Sequence, residues 1–558
     1  MFRLGPPLAI LLLTGPVVFG LAGTVLPAFG YLPALGGDRF TLAPFAMLFA
    51  EPGILSSLAI SLLAGLASAA LSLVVVMLFV AAFAGTRAFS RIQHLVSPLL
   101  SVPHAAAAFG LAFLVAPSGF LARLVSPELT GWMRPPDFLV VNDPMGLAMI
   151  AGLVVKEIPF LLLVTMAALP QVRLTETRAL SAALGYGRIA GFLFGLWPPV
   201  YRQIRLAVFA VLVFASSVVD VAAILGPTRP PTLAVRLVDW MRDPELTMRF
   251  LASAGALLQL AVALAGLAVW IVGEHIFAAL RDRAASAGWR LRRDRWLATA
   301  AFVAMITSAA TIAAGLAVLG IWSVAGLWQF PDALPASFSF GNWMKAAPRI
   351  AAPLGTTLVA GFLSTALAVA ISILCLARED ETRRGTGRAA LFLIYLPLLV
   401  PQVAFLFGLQ LFFLLTGTVA SLPALVMAHL VFVMPYVFLS LADPWRAFDR
   451  RYEAVAAGLG SSAAKTFLRI RLPMLTRAIL TAAAVGFAVS IGQYLPTVLI
   501  GAGRLTTITT EAVALASGGN RRVIGLYAFL QMLLPALGFL VATAVPALLF
   551  RHRRAMRV

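Results

Sequence analysis

The stretch EAVAAGLGSSAAKTFLRIRLP, Glu453 to Pro473, decides how this chain is read. It is a basic, helix-prone segment between two long apolar runs, and RALSAALGYGRIAGFLFGLWP, Arg178 to Pro198, repeats its plan. In both, a Leu-Gly pair (Leu184-Gly185, Leu459-Gly460) is followed seven residues after the Gly by Phe (Phe192, Phe467) and thirteen after it by Pro (Pro198, Pro473). Ala454, Ala456, Ala457 and Ala463 favour helix, while Gly458 and Gly460 mark a break or the close approach of another backbone. Phe467 reads as an apolar knob beside Lys465, Arg469 and Arg471, and Pro473 ends or bends the helix. The first loop has Gly185, Gly187, Arg188, Phe192 and Pro198-Pro199 in the same order. A short amphipathic helix with an aromatic knob suits a groove on a partner protein. The alternative is an interfacial helix resting on anionic lipid; the shared spacing favours the partner.

Around these loops the chain is a polytopic membrane protein. Of 558 residues, 61% are hydrophobic and 11% charged, with a mean hydropathy of +0.97; no soluble core buries that much apolar surface. Twelve spans are expected, centred near residues 18, 68, 106, 156, 214, 263, 309, 365, 403, 432, 489 and 536. The first is read as an uncleaved helix rather than a signal peptide. The net charge of +20 comes from arginines concentrated in alternate loops: Arg3, Arg87 and Arg91, Arg173 to Arg205, Arg281 to Arg295, Arg378 to Arg388, Arg446 to Arg477 and Arg551 to Arg557. That pattern is a topology signal, so both termini are expected in the cytoplasm and nucleic-acid binding is excluded. The lone Cys375 lies in an apolar run and reads as a small core residue.

The basic interval 281–295 separates six spans from six, giving a first module over 1–280, with its loop near 176–198, and a second over 296–558, with its loop near 453–473. The halves repeat. Ser61-Leu62-Leu63-Ala64-Gly65 with Ser68 matches Thr357-Leu358-Val359-Ala360-Gly361 with Ser364; Val102-Pro103 and Phe109-Gly110-Leu111 match Val400-Pro401 and Phe407-Gly408-Leu409. Beyond that the register is 460 − 185 = 275, holding through Arg202/Arg477, Gly226/Gly501, Arg229/Arg504 and Thr232/Thr507. Even-numbered modules enter the membrane in the same direction, so the repeat is parallel and a path would lie between the halves. The small residues of the second span in each half are expected to serve close helix packing.

The second loop resembles the "EAA" loop of ATP-binding-cassette importer permeases, E-A-A, three residues, G, nine residues, I-x-L-P: Gly460, Ile470, Leu472 and Pro473 fall on that pattern. The first loop keeps Gly185 and Pro198 but has Gly195 and Trp197 in place of Ile and Leu. Ala179 and Ala454 stand at the motif glutamate, with Glu453 one residue early. Across the whole chain, two six-span modules joined end to end resemble the fused permeases of the iron(III), thiamine and polyamine branch. The resemblance implies an all-α permease of the bacterial inner membrane. It also implies coupling helices docking on a separate ATPase, in two copies, and a periplasmic or extracellular substrate-binding protein on the other side. In that reading Gly185, Phe192, Pro198, Glu453, Gly460, Phe467, Arg469, Leu472 and Pro473 belong to the coupling loops.

Ionisable groups within spans cost roughly 2.5 to 3.5 kcal/mol on insertion scales and need a reason. Lys156 and Glu157 in the fourth span, Asp220 toward the outer end of the fifth, His104 and Gln402 after the matched prolines, and Gln493 beside Tyr494 in the eleventh are the candidate lining of a path. The bland alternatives are a Lys156–Glu157 pair, or one with Asp220, and a packing histidine at His104. There is no phosphate-binding loop with its Lys and Ser/Thr, no HExxH, no CxxC and no catalytic serine motif, so an enzyme, a metal site and a cofactor are not expected. The rival reading, an ion-coupled secondary carrier with a parallel repeat, needs more buried carboxylates and has no use for matched loops.

Overall fold

The computed structural model describes residues 2–551 other than 383, 384, 386, 517 and 519. Arg383, Arg384 and the last arginines of the terminal cluster, Arg553, Arg554 and Arg557, therefore lie outside the described residues. Twelve long helices, α1 to α12, carry the fold: Gly5–Ala28, Ile54–Phe83, His104–Val115, Leu147–Ala168, Trp197–Ser217, Met248–Ser286, Arg295–Val324, Gly341–Thr382, Gln402–Leu415, Leu422–Arg446, Thr476–Ile491 and Arg521–Leu549. Every expected span centre falls on a helix or at its broken end. Among the described residues, ten helices are long and apolar enough to cross a membrane alone; the ninth and eleventh spans are bent pairs, Ala389–Leu399 with Gln402–Leu415 at 86° and Ala463–Met474 with Thr476–Ile491 at 68°.

Proline explains the ninth bend and its counterpart in the third span. Pro103 and Pro401 lack an N–H and hold Val102 and Val400 in extended conformation, so α3 and α9 start afresh one residue later, at His104 and Gln402. The fifth and eleventh spans also stop short at matched places. After Ser217 the chain turns through Val218 and Val219 into a short helix, Asp220–Leu225, and after Ile491 through residues 492–494 into Leu495–Gly501. Asp220 and Gln493 are thus not inside spans but at breaks 275 residues in register (218 + 275 = 493).

Within each half the second span packs on the fourth and fifth, α2 on α4 and α5, α8 on α10 and α11. The small residues permit it: a Cβ on Gly65 would lie 2.8 Å from the Leu212 carbonyl, and one on Gly361 2.9 Å from the ring of Phe487, the residue matching Leu212. The matched hydroxyls of Ser61 and Thr357 each cap a later helix, accepting from Leu233 N–H at 3.1 Å and Ile508 N–H at 3.0 Å.

The first helix of each half crosses to the other. α1 lies along α9 and α7 along α3. Glycines make both crossings close: Gly110 of α3 faces Gly315 of α7, where a Cβ on either would come within 3.0 Å of the other's backbone, and the matched Gly408 of α9 faces Gly20 and Gly23 of α1. The Gly408 N–H donates to Thr24 Oγ1 at 3.2 Å. A methyl group here forces overpacking, at about 1–3 kcal/mol. At the end of the molecule away from the paired loops, Arg123 and Arg521 stitch the halves again. Arg123 donates to the carbonyls of Ser118 (3.1 Å) and Gln329 (2.6 Å) and lies 5.1 Å from the Trp328 ring centroid, and Arg521 donates to Ser118 O at 2.9 Å.

The basic interval is only partly a linker. Residues 281–286 continue α6, and the non-helical connection is 287–294.

Candidate functional site

Between the halves lies a cavity of about 500 Å³ whose wall includes His104, Lys156, Glu157 and Asp220 from the first half and Gln402 and Gln493 from the second. Five expected elements meet there because four helix breaks converge on it. His104 and Gln402 are the first residues after the matched Pro breaks, and Asp220 and Gln493 sit at the matched breaks beyond α5 and α11. Broken spans are what bring polar side chains and free backbone groups to the middle of such a fold without exposing them to lipid.

The pairing inside the cavity differs from both expected forms. Lys156 does not bridge to Asp220: its ammonium donates to the carbonyls of Leu99 (3.3 Å) and Leu100 (3.0 Å); Pro103 has no N–H to offer the Leu100 carbonyl, while the Leu99 carbonyl also accepts from Val102 N–H at 3.3 Å. Glu157 pairs instead with His104, Nε2 to Oε1 3.0 Å, and the His104 ring packs 4.6 Å from that of Phe214. Lys156 and Glu157 are both only 4% exposed, and Asp220 is 7% exposed at the start of its helix. Tyr395, Tyr436 and Tyr494 also line the cavity, and Asp443, at the α10 end nearest the paired loops, marks its rim. Tyr494 stands beside the expected Gln493, but no sequence pattern marked Tyr395 and Tyr436, nor buried His429, whose ring bonds Ser490 Oγ (2.8 Å) and Thr497 Oγ1 (2.9 Å) behind the wall.

The paired loops are alike in backbone. Each has a short helix, Leu174–Ala183 or Arg451–Gly458, closed by a left-handed glycine, Gly185 and Gly460 both at φ +77°. The bonds are those of a Schellman stop: Gly185 and Gly460 N–H to Ala182 O and Ala457 O, Tyr186 and Ser461 N–H to Ser181 O and Ala456 O. Both then enter a π-helical turn at one register, Phe192–Leu196 and Phe467–Arg471.

Their side chains correct the knob expectation. Phe192 is 1% exposed and packs near Trp197, and Phe467 is half-buried between Phe2 (5.1 Å) and Trp445 (6.2 Å). The π turn rotates these rings back onto the spans, so they anchor the loops rather than project from them. The residues that project are the matched pairs Leu180/Val455 and Leu184/Leu459; Leu184 is 52% and Leu459 83% exposed. Their i, i+4 spacing ahead of the glycine was the signal available in the sequence. Pro473 precedes the 68° bend at Leu475, as expected, whereas Pro198 sits in the first turn of α5 and the helix runs on from Arg188 to Ser217.

Each loop is tied to the end of the second span of its half, by different chemistry at matched sites (84 + 296 = 380, the register of Ser61/Thr357). In the first half Arg178 donates to the carbonyls of Ala81 (3.0 Å) and Ala84; burial, then the nearby Arg188, push its guanidinium down to about 10. In the second, Asp380 at the end of α8 accepts from Arg471 (2.5 Å), Trp445 Nε1 (2.7 Å) and Arg450. Arg471 also holds Glu453 at 3.0 Å and stacks 4.5 Å over Trp445. Glu453, the displaced motif glutamate, is therefore turned toward its own chain. Arg469 is exposed, and Leu472 half-buried.

A helical two-fold repeat around a central cavity, with paired loops at one end, defines a transporter of the permease class. Residues 381–554 match the family described as binding-protein-dependent transport system inner membrane component. The chain is 30% identical over 517 residues, 93% of each protein, to the inner membrane ABC transporter permease protein YnjC of Escherichia coli (strain K12). It is 25% identical over 234 residues, 41% of this chain and 79% of the relative, to a spermidine/putrescine transport system permease protein PotC homolog of Mycoplasma pneumoniae. It is 30% identical over 141 residues, 24% and 50%, to the putrescine transport system permease protein PotI of Escherichia coli (strain K12). The chain belongs to the inner-membrane permease family of ABC transporters, as a multi-pass permease subunit of an importer. The ion-coupled carrier is not favoured.

Proposed function

We propose that the chain works as two modules, 1–280 and 296–558 joined through 281–295, that carry substrate through the cavity between them. The paired loops dock one copy each of a separate ATPase, and a substrate-binding protein docks at the opposite end. Both termini then lie on the cytoplasmic side with the loops. The observation that carries this reading is the coincidence of register: two loops with the same glycine stop and π turn, 275 residues apart, present matched apolar residues at one end of a two-fold fold whose breaks surround a polar cavity. Because no nucleotide-binding loop is present in the sequence, the energy must enter through such a contact.

Substrate chemistry follows from the wall. Glu157 and Asp220 outnumber Lys156, whose ammonium is turned to backbone carbonyls, and Tyr395, Tyr436 and Tyr494 supply ring faces suited to a cation. We read the substrate as an organic cation, in keeping with the polyamine names of two relatives. Uptake into proteoliposomes holding the permease, its ATPase and its binding protein tests both points. Asp220→Asn is expected to raise KM for an amine substrate, and Leu459→Asp to lower the ATPase bound per permease while leaving the fold intact. Unchanged uptake kinetics in the first and unchanged ATPase content in the second would sink the respective assignments.

A further inference from the structure

The connection between the modules does not hang free. It lies along the first loop: Gly187 N–H donates to Arg290 O at 2.9 Å, and Ile189 N–H donates to Asp294 Oδ2 at 2.8 Å. A side chain on Gly187 would collide with the Leu291 carbonyl. Asp294 supplies a cap that the loop itself lacks. In the second loop the matched residue is Ser462, whose hydroxyl accepts from Lys465 N–H at 3.4 Å; in the first it is Gly187, with no side chain to offer.

This docking changes the outer face of the loop. A Cβ on Gly185 would stand 3.5 Å from guanidinium nitrogens of both Arg290 and Arg292, whereas one on Gly460 meets nothing within 4 Å. Arg290, Arg292 and Arg293 are exposed and form no ion pair among the described residues. Arg290 and Arg292 stand beside Gly185, the residue next to exposed Leu184, and Arg293 follows them in the same connection.

Resting on the assignment of the loops to ATPase docking, we propose that Arg290, Arg292 and Arg293 are part of the docking surface of the first module. They meet an acidic rim on the ATPase subunit, so that the two ATPase sites of this permease are unequal. The first adds the three arginines of the connection to its apolar turn, whereas the second has at the turn of Leu459 only the cations of its own loop, exposed Lys465 and Arg469. Charges at the rim of an interface act mainly on association rate and salt dependence.

The test uses the full-length permease in discs of zwitterionic lipid and the ATPase subunit that co-purifies with it, with stoichiometry read by native mass spectrometry and binding kinetics at low and high salt. Arg290→Glu, Arg292→Glu and Arg293→Glu together are expected to slow association at one of the two sites by roughly tenfold and to remove its salt dependence. The second site stays as it was, and adding Leu459→Asp then removes binding there, leaving only the slowed first site. The single change Arg292→Glu, which leaves the backbone bond and Asp294 untouched, gives a smaller effect of the same kind. Two sites with unchanged rates and salt dependence would overturn the proposal. So would an effect seen only after phosphatidylglycerol is added, which would assign the arginines to anionic lipid. If Leu184→Asp and Leu459→Asp also leave binding unchanged, the loops themselves are not ATPase sites.

Discussion

His104 and Glu157 show how one residue's role depends on a distant break. Two ionisable groups met in apolar runs each carry an insertion cost, yet the Pro103 break frees the Leu100 carbonyl for Lys156, with Leu99 O as its second acceptor, and brings His104 to Glu157. The cluster is therefore satisfied before any substrate arrives. Removing the charge of Glu157 weakens the bond from His104, whose side chain is 32% exposed, a loss of about 1 kcal/mol. Glu157→Gln should accordingly lower the midpoint of thermal unfolding in detergent, while His104→Gln, which retains a donor to Glu157, should lower it less. Equal stability of wild type and Glu157→Gln would show that the pair carries no structural weight.

At the scale of elements, the two loops share a backbone and differ in what fastens them. Gly185 and Gly460 can hold φ +77° because they lack a Cβ, and the Schellman bonds fix where each helix stops. The fastening then diverges, with Arg178 on the carbonyls at the end of α2 in one half and the Asp380 hub at the end of α8 in the other. A movement of the second loop is thus transmitted to α8 through ionic bonds to a single carboxylate, while the first pulls on backbone. Asp380→Asn is expected to speed hydrogen exchange of amides in 451–471 and leave 174–196 unchanged. Equal exchange in both loops would refute the separate fastening.

For the whole molecule, the exchange of first helices makes the halves interdependent. α1 seals α9 through Gly20, Gly23 and Gly408, and α7 seals α3 through Gly315 and Gly110. Deleting residues 2–28 should therefore damage the second half rather than the first, exposing residues 402–415 to protease while 104–115 stay protected. Protection of both regions in the truncated chain would contradict the exchange. Two halves that clasp each other in this way can rock about the central cavity without separating, which is what alternation between its two sides requires.

Hydropathy and register were legible without coordinates because both follow from local rules. A span needs its run of apolar residues, and a repeat at 275 residues needs only counting, so the spans, the two loops and six polar residues of the cavity wall could be named from the sequence. What the sequence left open was direction. Phe192 and Phe467 read as outward knobs, and only the π turn shows that they face inward and that Leu184 and Leu459 project instead. Asp220 and Gln493 read as members of continuous spans, and only the matched breaks place them together at the cavity wall. Lys156 and Glu157 read as partners, and their real partners lie about 50 residues upstream. Composition and spacing are sums over neighbours in the chain; rotation about a helix axis and closure between halves are set by contacts hundreds of residues apart, which only the packed structure holds.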